Sequence, residues 1–205
     1  MTPRRARPLA RLVAAIVAVV IVLIAYGLRV AAGDGNPFDF FGYFTNQTSS
    51  LTAVVVIVVA LRQLSGHRIP RALVVAWGVG AACLVVVALV YNVLVPGTGT
   101  APPWVSVILH VAFPVFVVGD FASASDRPRL PWRAIWWVLP YPCLWLAVVL
   151  LRGQTDGWVP YGFLLPERGL VSLAAHVIGI LALLMAAAAA VWGLSRWRAR
   201  PPLRP

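Results

Sequence analysis

Long apolar segments alternate with short polar segments along the whole chain. Six apolar blocks each approach the roughly 20 residues that a helix needs to cross about 30 Å of hydrocarbon. They cover residues 12–28, 41–61, 72–95, 104–121, 132–151 and 169–194. Because a backbone in lipid must satisfy its own hydrogen bonds, each block is expected to be helical. The pattern therefore predicts an all-α polytopic membrane bundle of six transmembrane helices.

The same pattern predicts how the chain is divided. Residues 1–195 are expected to form a single transmembrane domain, and the basic, Pro-rich residues 196–205 a disordered cytoplasmic tail. The basic N-terminus and the first apolar block are also typical of a signal peptide, with residues 30–32 resembling a cleavage site. The block is long for a signal peptide, and Arg29 interrupts it before that site. We therefore expect an uncleaved first span.

Composition supports the membrane assignment and argues against nucleic-acid binding. The chain is 61% hydrophobic and 11% charged, whereas soluble domains carry about 25% charged residues. All 17 basic residues are arginines, which cluster between the apolar blocks and give a net charge of +11. Such clusters indicate membrane topology, so we expect membrane lipids as partners and no nucleic acid.

The arginines also predict the orientation. Fourteen fall at the two termini and in the loops 62–71 and 127–133, which lie on one side of a six-span bundle. Only Arg29, Arg152 and Arg168 fall on the opposite side. Because arginine is enriched in cytoplasmic segments, both termini are predicted to be cytoplasmic, in a multi-pass protein of the cell membrane.

A polar cluster opens the second apolar block. Seven of the eight residues from 45 to 52 are polar, and an unpaired polar group in hydrocarbon costs roughly 2 to 7 kcal/mol. The cluster must therefore face protein, water or a ligand. For Thr48, Ser49 and Thr52 we favour helix packing. For Thr45, Asn46 and Gln47 we favour a functional role.

His110 is the second candidate. Pro114 lacks the N–H that would bond the carbonyl of His110, so a kink is expected there, with Ser106 on the same face. Ionisable residues within a membrane are functional candidates, although a structural histidine remains an alternative. At 1.5 Å per residue, Thr45, His110 and His176 lie about 6, 9 and 10 Å into their spans, at similar depths.

The chemistry that these residues could perform is limited. The sequence has no phosphate-binding loop, no metal-ligand spacing and no Gly-x-Ser-x-Gly motif, and the cysteines Cys83 and Cys143 are expected to be free thiols. We expect no metal and no cofactor. A threonine beside a histidine is the remaining nucleophile and base pair, with Asn46, Gln47 or Asn92 as donors to an oxyanion.

Three short motifs resemble one family. They are the Tyr-Phe-Thr-Asn-Gln run at 43–47, His110 with Pro114, and the loop 158–164 that contains Trp158 and Tyr161. They occur in the order found in the family of the androgen-induced protein and the androgen-dependent TFPI-regulating protein, with its bacterial six-span relatives. The chain differs from the animal members in its more polar residues after Thr45 and in carrying His176.

The resemblance implies a bacterial plasma-membrane hydrolase of fatty acid esters of hydroxy fatty acids or similar acyl lipids. It implies that Thr45 is the nucleophile and His110 the base. Trp158 and Tyr161 of the loop motif are then expected to bind or orient the substrate, and His176 is a further candidate for this role because of its similar depth. Two alternatives stay open: a non-catalytic protein that holds a lipid or small solute in an outer-leaflet polar cavity, and a haem or metal shared by His110 and His176.

Overall fold

A computed structural model describes residues 3–97 and 101–197, and this part of the chain contains helices and no strand. Eight α-helices follow one another along the chain. They are α1 (Pro3–Ala31), α2 (Pro37–Gly42), α3 (Phe44–Leu64), α4 (Arg71–Leu89), α5 (Pro103–Val107), α6 (Phe113–Ser123), α7 (Pro140–Thr155) and α8 (Leu170–Leu194). Two π-helical turns, Val90–Leu94 and Ile108–Ala112, and three 3-10 turns, Trp132–Val138, Gly162–Leu164 and Pro166–Arg168, connect or extend them.

Six helical stretches are long and apolar enough to cross a membrane. They are Arg5–Ala31, Phe44–Leu64, Arg71–Leu94, Pro103–Ser123, Trp132–Thr155 and Leu170–Leu194. The all-α fold with six candidate spans is therefore confirmed, and the protein is a multi-pass membrane protein.

The starts of two spans differ from the predicted ones by more than one residue. The first span begins at Arg5 rather than at residue 12, because the arginines of α1 find carboxylate partners within the bundle. The second begins at Phe44 rather than at residue 41, because Tyr43 is extended (φ −66°, ψ 130°) and separates α2 from α3. Thr45 therefore lies in the first turn of α3, and not about 6 Å inside it.

Helix α4 is the centre of the bundle, since it packs against α3, α6 and α8. Small residues bring its neighbours close: a Cβ at Gly78 would lie 2.8 Å from Leu130, and one at Gly80 would lie 2.6 Å from the Thr52 hydroxyl. Thr48, Ser49 and Thr52 are all buried, as helix packing predicts. Cys83 is buried and Cys143 exposed, and both are free thiols.

An ion-pair cluster of Arg7, Arg11, Asp120, Asp126 and Gln63 ties α1 to α3 and α6 at one end of the bundle. Arg11 is fully buried, and its guanidinium lies 2.7 Å from Asp120, 2.9 Å from Asp126 and 2.5 Å from the Gln63 amide oxygen. Arg7 lies 2.8 Å from Asp120. Both arginine partners of Asp120 are therefore in α1.

The charges of this cluster compensate one another. Burial opposes ionisation of Asp126, but the hydrogen bond and the charge of Arg11 outweigh it and lower the pKa of Asp126. Every carboxylate at this end thus has an arginine partner among the described residues.

Two further arginines at this end bond to backbone carbonyls. Arg127 is buried and donates to the carbonyls of Phe121 and Ser195, while Arg196 donates to Leu130 at 3.0 Å. Burial lowers the pKa of Arg127 to about 10. The predicted disordered tail begins at Arg196, and its residues 198–205 lie outside the described part of the chain.

Candidate functional site

A cavity of about 560 Å³ lies at the end of the bundle opposite the ion-pair cluster. Its walls come from the last turns of α1, the start of α3, both π turns, α7, α8 and the loop 160–164. Most of the lining is aliphatic or aromatic, with a few polar side chains. Such a combination of size and lining is typical of sites for small organic ligands. We call this space the main cavity.

Thr45 and His110 meet in the wall of the main cavity. The Thr45 hydroxyl oxygen lies 3.3 Å from Nε2 of His110, although the two residues are 65 positions apart. The sequence predicted this pair, and the structure brings it together. The distance is at the long end of a hydrogen bond, as is common for catalytic groups without substrate.

The contact of the other ring nitrogen, Nδ1, determines which tautomer of His110 is present. Nδ1 lies 2.9 Å from the carbonyl oxygen of Ser106, one turn earlier. Because a carbonyl only accepts, this bond holds the proton on Nδ1 of the neutral imidazole. Nε2 then presents its lone pair to the Thr45 hydroxyl. A hydroxyl can therefore donate to His110, which is the arrangement that general-base catalysis requires.

A π turn positions the His110 ring. His110 lies within Ile108–Ala112, where the amide of Phe113 bonds to the carbonyl of Ile108 five residues earlier. Pro114 follows immediately and cannot donate to the carbonyl of His110. The kink predicted from Pro114 thus takes the form of a π turn, a feature that is frequent at functional sites.

Tyr91 supports the imidazole from the neighbouring span, and sequence reasoning missed it. Its ring stacks on His110 with centroids 3.5 Å apart and an interplanar angle of 13°. Tyr91 lies on the other π turn, Val90–Leu94, at the end of the third span. An aromatic residue near a span end resembles an ordinary interfacial residue, so only the three-dimensional arrangement reveals its role.

Tyr161 covers Thr45 from the loop between the last two spans. Its hydroxyl interacts with the Thr45 hydroxyl and with the backbone amides of Phe44 and Thr45, and burial raises the pKa of Tyr161 to about 12. The first amides of a helix have no carbonyl within the helix to bond, so a hydroxyl here meets free donors. Tyr161 thus lines the main cavity beside Thr45.

Trp158 holds the loop that carries Tyr161. Its ring packs edge-to-face on Tyr43 with centroids 5.9 Å apart, and the Arg152 guanidinium lies 4.3 Å from its centroid. A Cβ at Gly42 would lie 2.3 Å from Trp158, so only glycine fits there. Trp158 does not line the main cavity. It acts on the site through this packing.

The amide residues beside Thr45 have different surroundings. Asn46 lines the main cavity, and its side-chain amide donates to the carbonyl of Phe40 at 2.8 Å, which ties α2 to α3. Gln47 is half-buried and does not line the cavity. One N–H of Asn46 thus remains available near the pair.

Asn92 and His176 are not brought to the pair. Asn92 is exposed and donates to the carbonyl of Ala88 on its own helix at 2.8 Å. Nδ1 of His176 lies 2.8 Å from the carbonyl of Ser172, and its ring stacks on Phe163 at 5.6 Å. His176 does not line the main cavity, so the structure does not present it and His110 as a shared ligand pair.

The described residues contain no group of three or more His, Cys, Asp or Glu side chains that could hold a metal ion. Around the Thr45–His110 pair, the polar side chains that line the main cavity include the amide of Asn46 and the phenol of Tyr161, while Arg29 and Asp34 line it near the end of α1. This set suits hydrogen bonding and proton transfer.

Six spans and a largely apolar cavity with a threonine–histidine pair therefore define the class: a multi-pass membrane protein with a candidate intramembrane site. Comparison of the chain with family models, with curated proteins and with solved structures found no match. The functional conclusion rests on the residues themselves.

Proposed function

We propose that this protein is an intramembrane lipid-ester hydrolase with Thr45 as the nucleophile and His110 as the general base. One observation carries the proposal: the 3.3 Å approach of the Thr45 hydroxyl to Nε2 of His110, whose Nδ1 is bonded to the Ser106 carbonyl. A hydroxyl is a weak nucleophile until a neighbour accepts its proton, and this imidazole is suitably placed to do so.

The proposed reaction has two halves. Thr45 transfers its proton to Nε2 of His110 while its oxygen attacks the ester carbonyl and forms a tetrahedral oxyanion. The intermediate collapses, the alcohol leaves with the proton from Nε2, and an acyl ester on Thr45 remains. Water then attacks this ester while His110 accepts its proton. As the acyl bond breaks, Nε2 returns that proton to the Thr45 oxygen, and the carboxylic acid and free Thr45 are released.

Stabilisation of the oxyanion is assigned to groups around the first turn of α3. The first amides of α3, which contact the Tyr161 hydroxyl, and the positive end of the helix dipole favour negative charge beside Thr45. The remaining N–H of Asn46 and the phenol of Tyr161, which is protonated at neutral pH, are further donors. Each donor of this kind contributes about 10²- to 10³-fold in rate.

The substrate class follows from the walls of the main cavity. Beside the polar pair, the cavity is lined by Val86, Leu109, Ile180 and Leu184, which suit hydrocarbon chains. Arg29 and Asp34 also line it, at the end of α1, and they provide a polar route for water. Long-chain esters suit a cavity with apolar walls and a polar pair. The family resemblance favours fatty acid esters of hydroxy fatty acids. We place the enzyme in a bacterial plasma membrane with both termini cytoplasmic.

The test is fluorophosphonate labelling and ester hydrolysis by the purified full chain in detergent micelles. Thr45→Ala is expected to abolish labelling and to lower hydrolysis of a long-chain ester by at least about 10³-fold. Thr48→Ala is the matched control, because it removes the same atoms one turn away, from a hydroxyl bonded to Tyr141 at 3.0 Å. Labelling of Thr45→Ala at the wild-type rate would contradict the proposal.

The non-catalytic alternative has its own observation. The main cavity is about 560 Å³ and largely apolar, and a site of that kind can retain a lipid without cleaving it. If the wild-type protein retains a lipid through purification, hydrolyses no ester and remains unlabelled, lipid binding is the better interpretation.

A further inference from the structure

A second apolar depression runs along the outside of the bundle, separate from the main cavity. It has a volume of about 470 Å³ and lies between α3, α4 and the fifth span. Its floor on α4 is formed by Ala72, Val75, Ala76, Val79, Gly80 and Cys83. We call it the lateral groove.

The length and the apolar lining of the lateral groove suit a hydrocarbon chain. Its α4 residues recur at intervals of three and four, so they form one helical stripe. From Ala72 to Cys83 this stripe extends about 16 Å at 1.5 Å per residue, which is roughly half of the hydrocarbon thickness. At its deep end the hydroxyls of Thr48 and Tyr141 bond to each other at 3.0 Å, so neither needs a polar ligand.

The other end of the groove reaches the arginine-rich end of the bundle. Arg71 directly precedes Ala72, and Arg133 lies four residues before Trp137, another lining residue. Both arginines are exposed, and neither forms an ion pair with any described carboxylate. The acidic residues at this end, Asp120 and Asp126, are already bonded to Arg7 and Arg11.

Tryptophans indicate the depth of this end. Trp132, Trp136 and Trp137 are 52%, 63% and 65% exposed around the start of the fifth span. Exposed tryptophans concentrate at the level of lipid headgroups. Arg71 and Arg133 therefore lie where a phosphate would be, with the lateral groove leading from them into the hydrocarbon.

We infer that the lateral groove binds an anionic phospholipid, with one acyl chain along α4 and the phosphate against Arg71 and Arg133. Basic pockets between spans recognise anionic headgroups in this way. A second copy of the chain is a poorer occupant, since it would bring its own uncompensated arginines to the same end. The inference is independent of the proposed hydrolysis.

Brominated lipids provide the test, because bromine quenches nearby tryptophans and Trp137 lines the lateral groove. The full chain is reconstituted in phosphatidylcholine vesicles that contain brominated phosphatidylglycerol or brominated phosphatidylcholine. The signal is the quenching that disappears in Trp137→Phe. Wild type is expected to prefer phosphatidylglycerol about 30-fold, the contribution of two arginines near the membrane surface.

The variants separate specific binding from general attraction. The double variant Arg71→Gln/Arg133→Gln is expected to lose the preference. Arg5→Gln is expected to keep it, because Arg5 is also exposed and unpaired but lies on α1, which does not line the groove. Ala76→Phe, which fills the groove without adding a tryptophan, is expected to remove the preference for phosphatidylglycerol from Trp137 quenching.

Three results would overturn the inference. The first is equal quenching of wild type by the two lipids. The second is a preference that survives in the double variant. The third is a wild-type dimer that Ala76→Phe dissociates, because a second copy would then occupy the lateral groove.

Discussion

The two ends of the bundle differ in how completely their polar side chains are bonded. In the ion-pair cluster, Arg11 has three partners within 2.9 Å and no exposed surface. At the main cavity, the Thr45 hydroxyl lies 3.3 Å from His110 and both side chains border open space. Saturated polar groups stabilise a fold, whereas incompletely bonded ones beside a cavity remain available for a substrate. Under the proposed function, one end of the bundle stabilises the fold and the other carries the chemistry.

The largest expected effect tests the chemical end. His110→Ala is expected to lower ester hydrolysis about 10²- to 10⁴-fold, because it removes the proposed base. His176→Ala is the matched control: it too removes an imidazole bonded to a carbonyl four residues earlier and stacked on an aromatic ring, but one without a threonine partner. Initial rates are measured on protein that elutes as a single folded species. Equal losses of hydrolysis rate in the two variants would contradict the assignment of His110, and not His176, as the base.

The next effect tests the stabilising end. Arg11→Ala is expected to reduce the free energy of unfolding by about 3–5 kcal/mol, because Asp120 and Asp126 would lose their buried partner. Arg5→Ala, on the same helix but exposed, is expected to change it by no more than about 0.5 kcal/mol. Denaturant unfolding in mixed micelles measures both. The folded fraction of Arg11→Ala should still be labelled at Thr45, and loss of labelling there would show that the two ends are not separate.

The smallest effect concerns pH. The pKa of Asp126 is lower in the folded protein than its ordinary value of about 3.9. The ionised form therefore contributes stability above that ordinary value, and the contribution is lost as the pH falls through the folded pKa. Thermal unfolding between pH 6 and pH 2 should show a decline in wild type that is shallower in Asp126→Asn. An identical decline in both would assign the acid sensitivity to other groups.

Much of the fold could be predicted from hydropathy, because each span must be apolar for its whole length. The boundaries at Arg5 and Phe44 could not, since they depend on contacts with residues far away in the sequence. Ion pairing with Asp120 keeps Arg7 and Arg11 within a helix. Trp158 packs on Gly42 and Tyr43, where α2 ends.

The candidate site was predictable in part for a similar reason. Thr45 and His110 stand out because a hydroxyl and an imidazole are costly in lipid. Which groups surround them depends on the rotation of each helix, which the sequence pattern does not define. Asn92 therefore turned out to bond its own helix, and Tyr91, an ordinary aromatic residue in the sequence, stacks on His110.

The ion-pair cluster also has a consequence for biosynthesis. Arg11 is translated 109 residues before Asp120, so at about 5–20 residues per second the ribosome needs roughly 5 to 20 s to supply its partner. During that interval the guanidinium cannot enter the hydrocarbon as part of a neutral pair. The Arg11 end of α1 is therefore expected to stay at the aqueous boundary until the fourth span emerges. Burial of Arg11 then follows the arrival of α6.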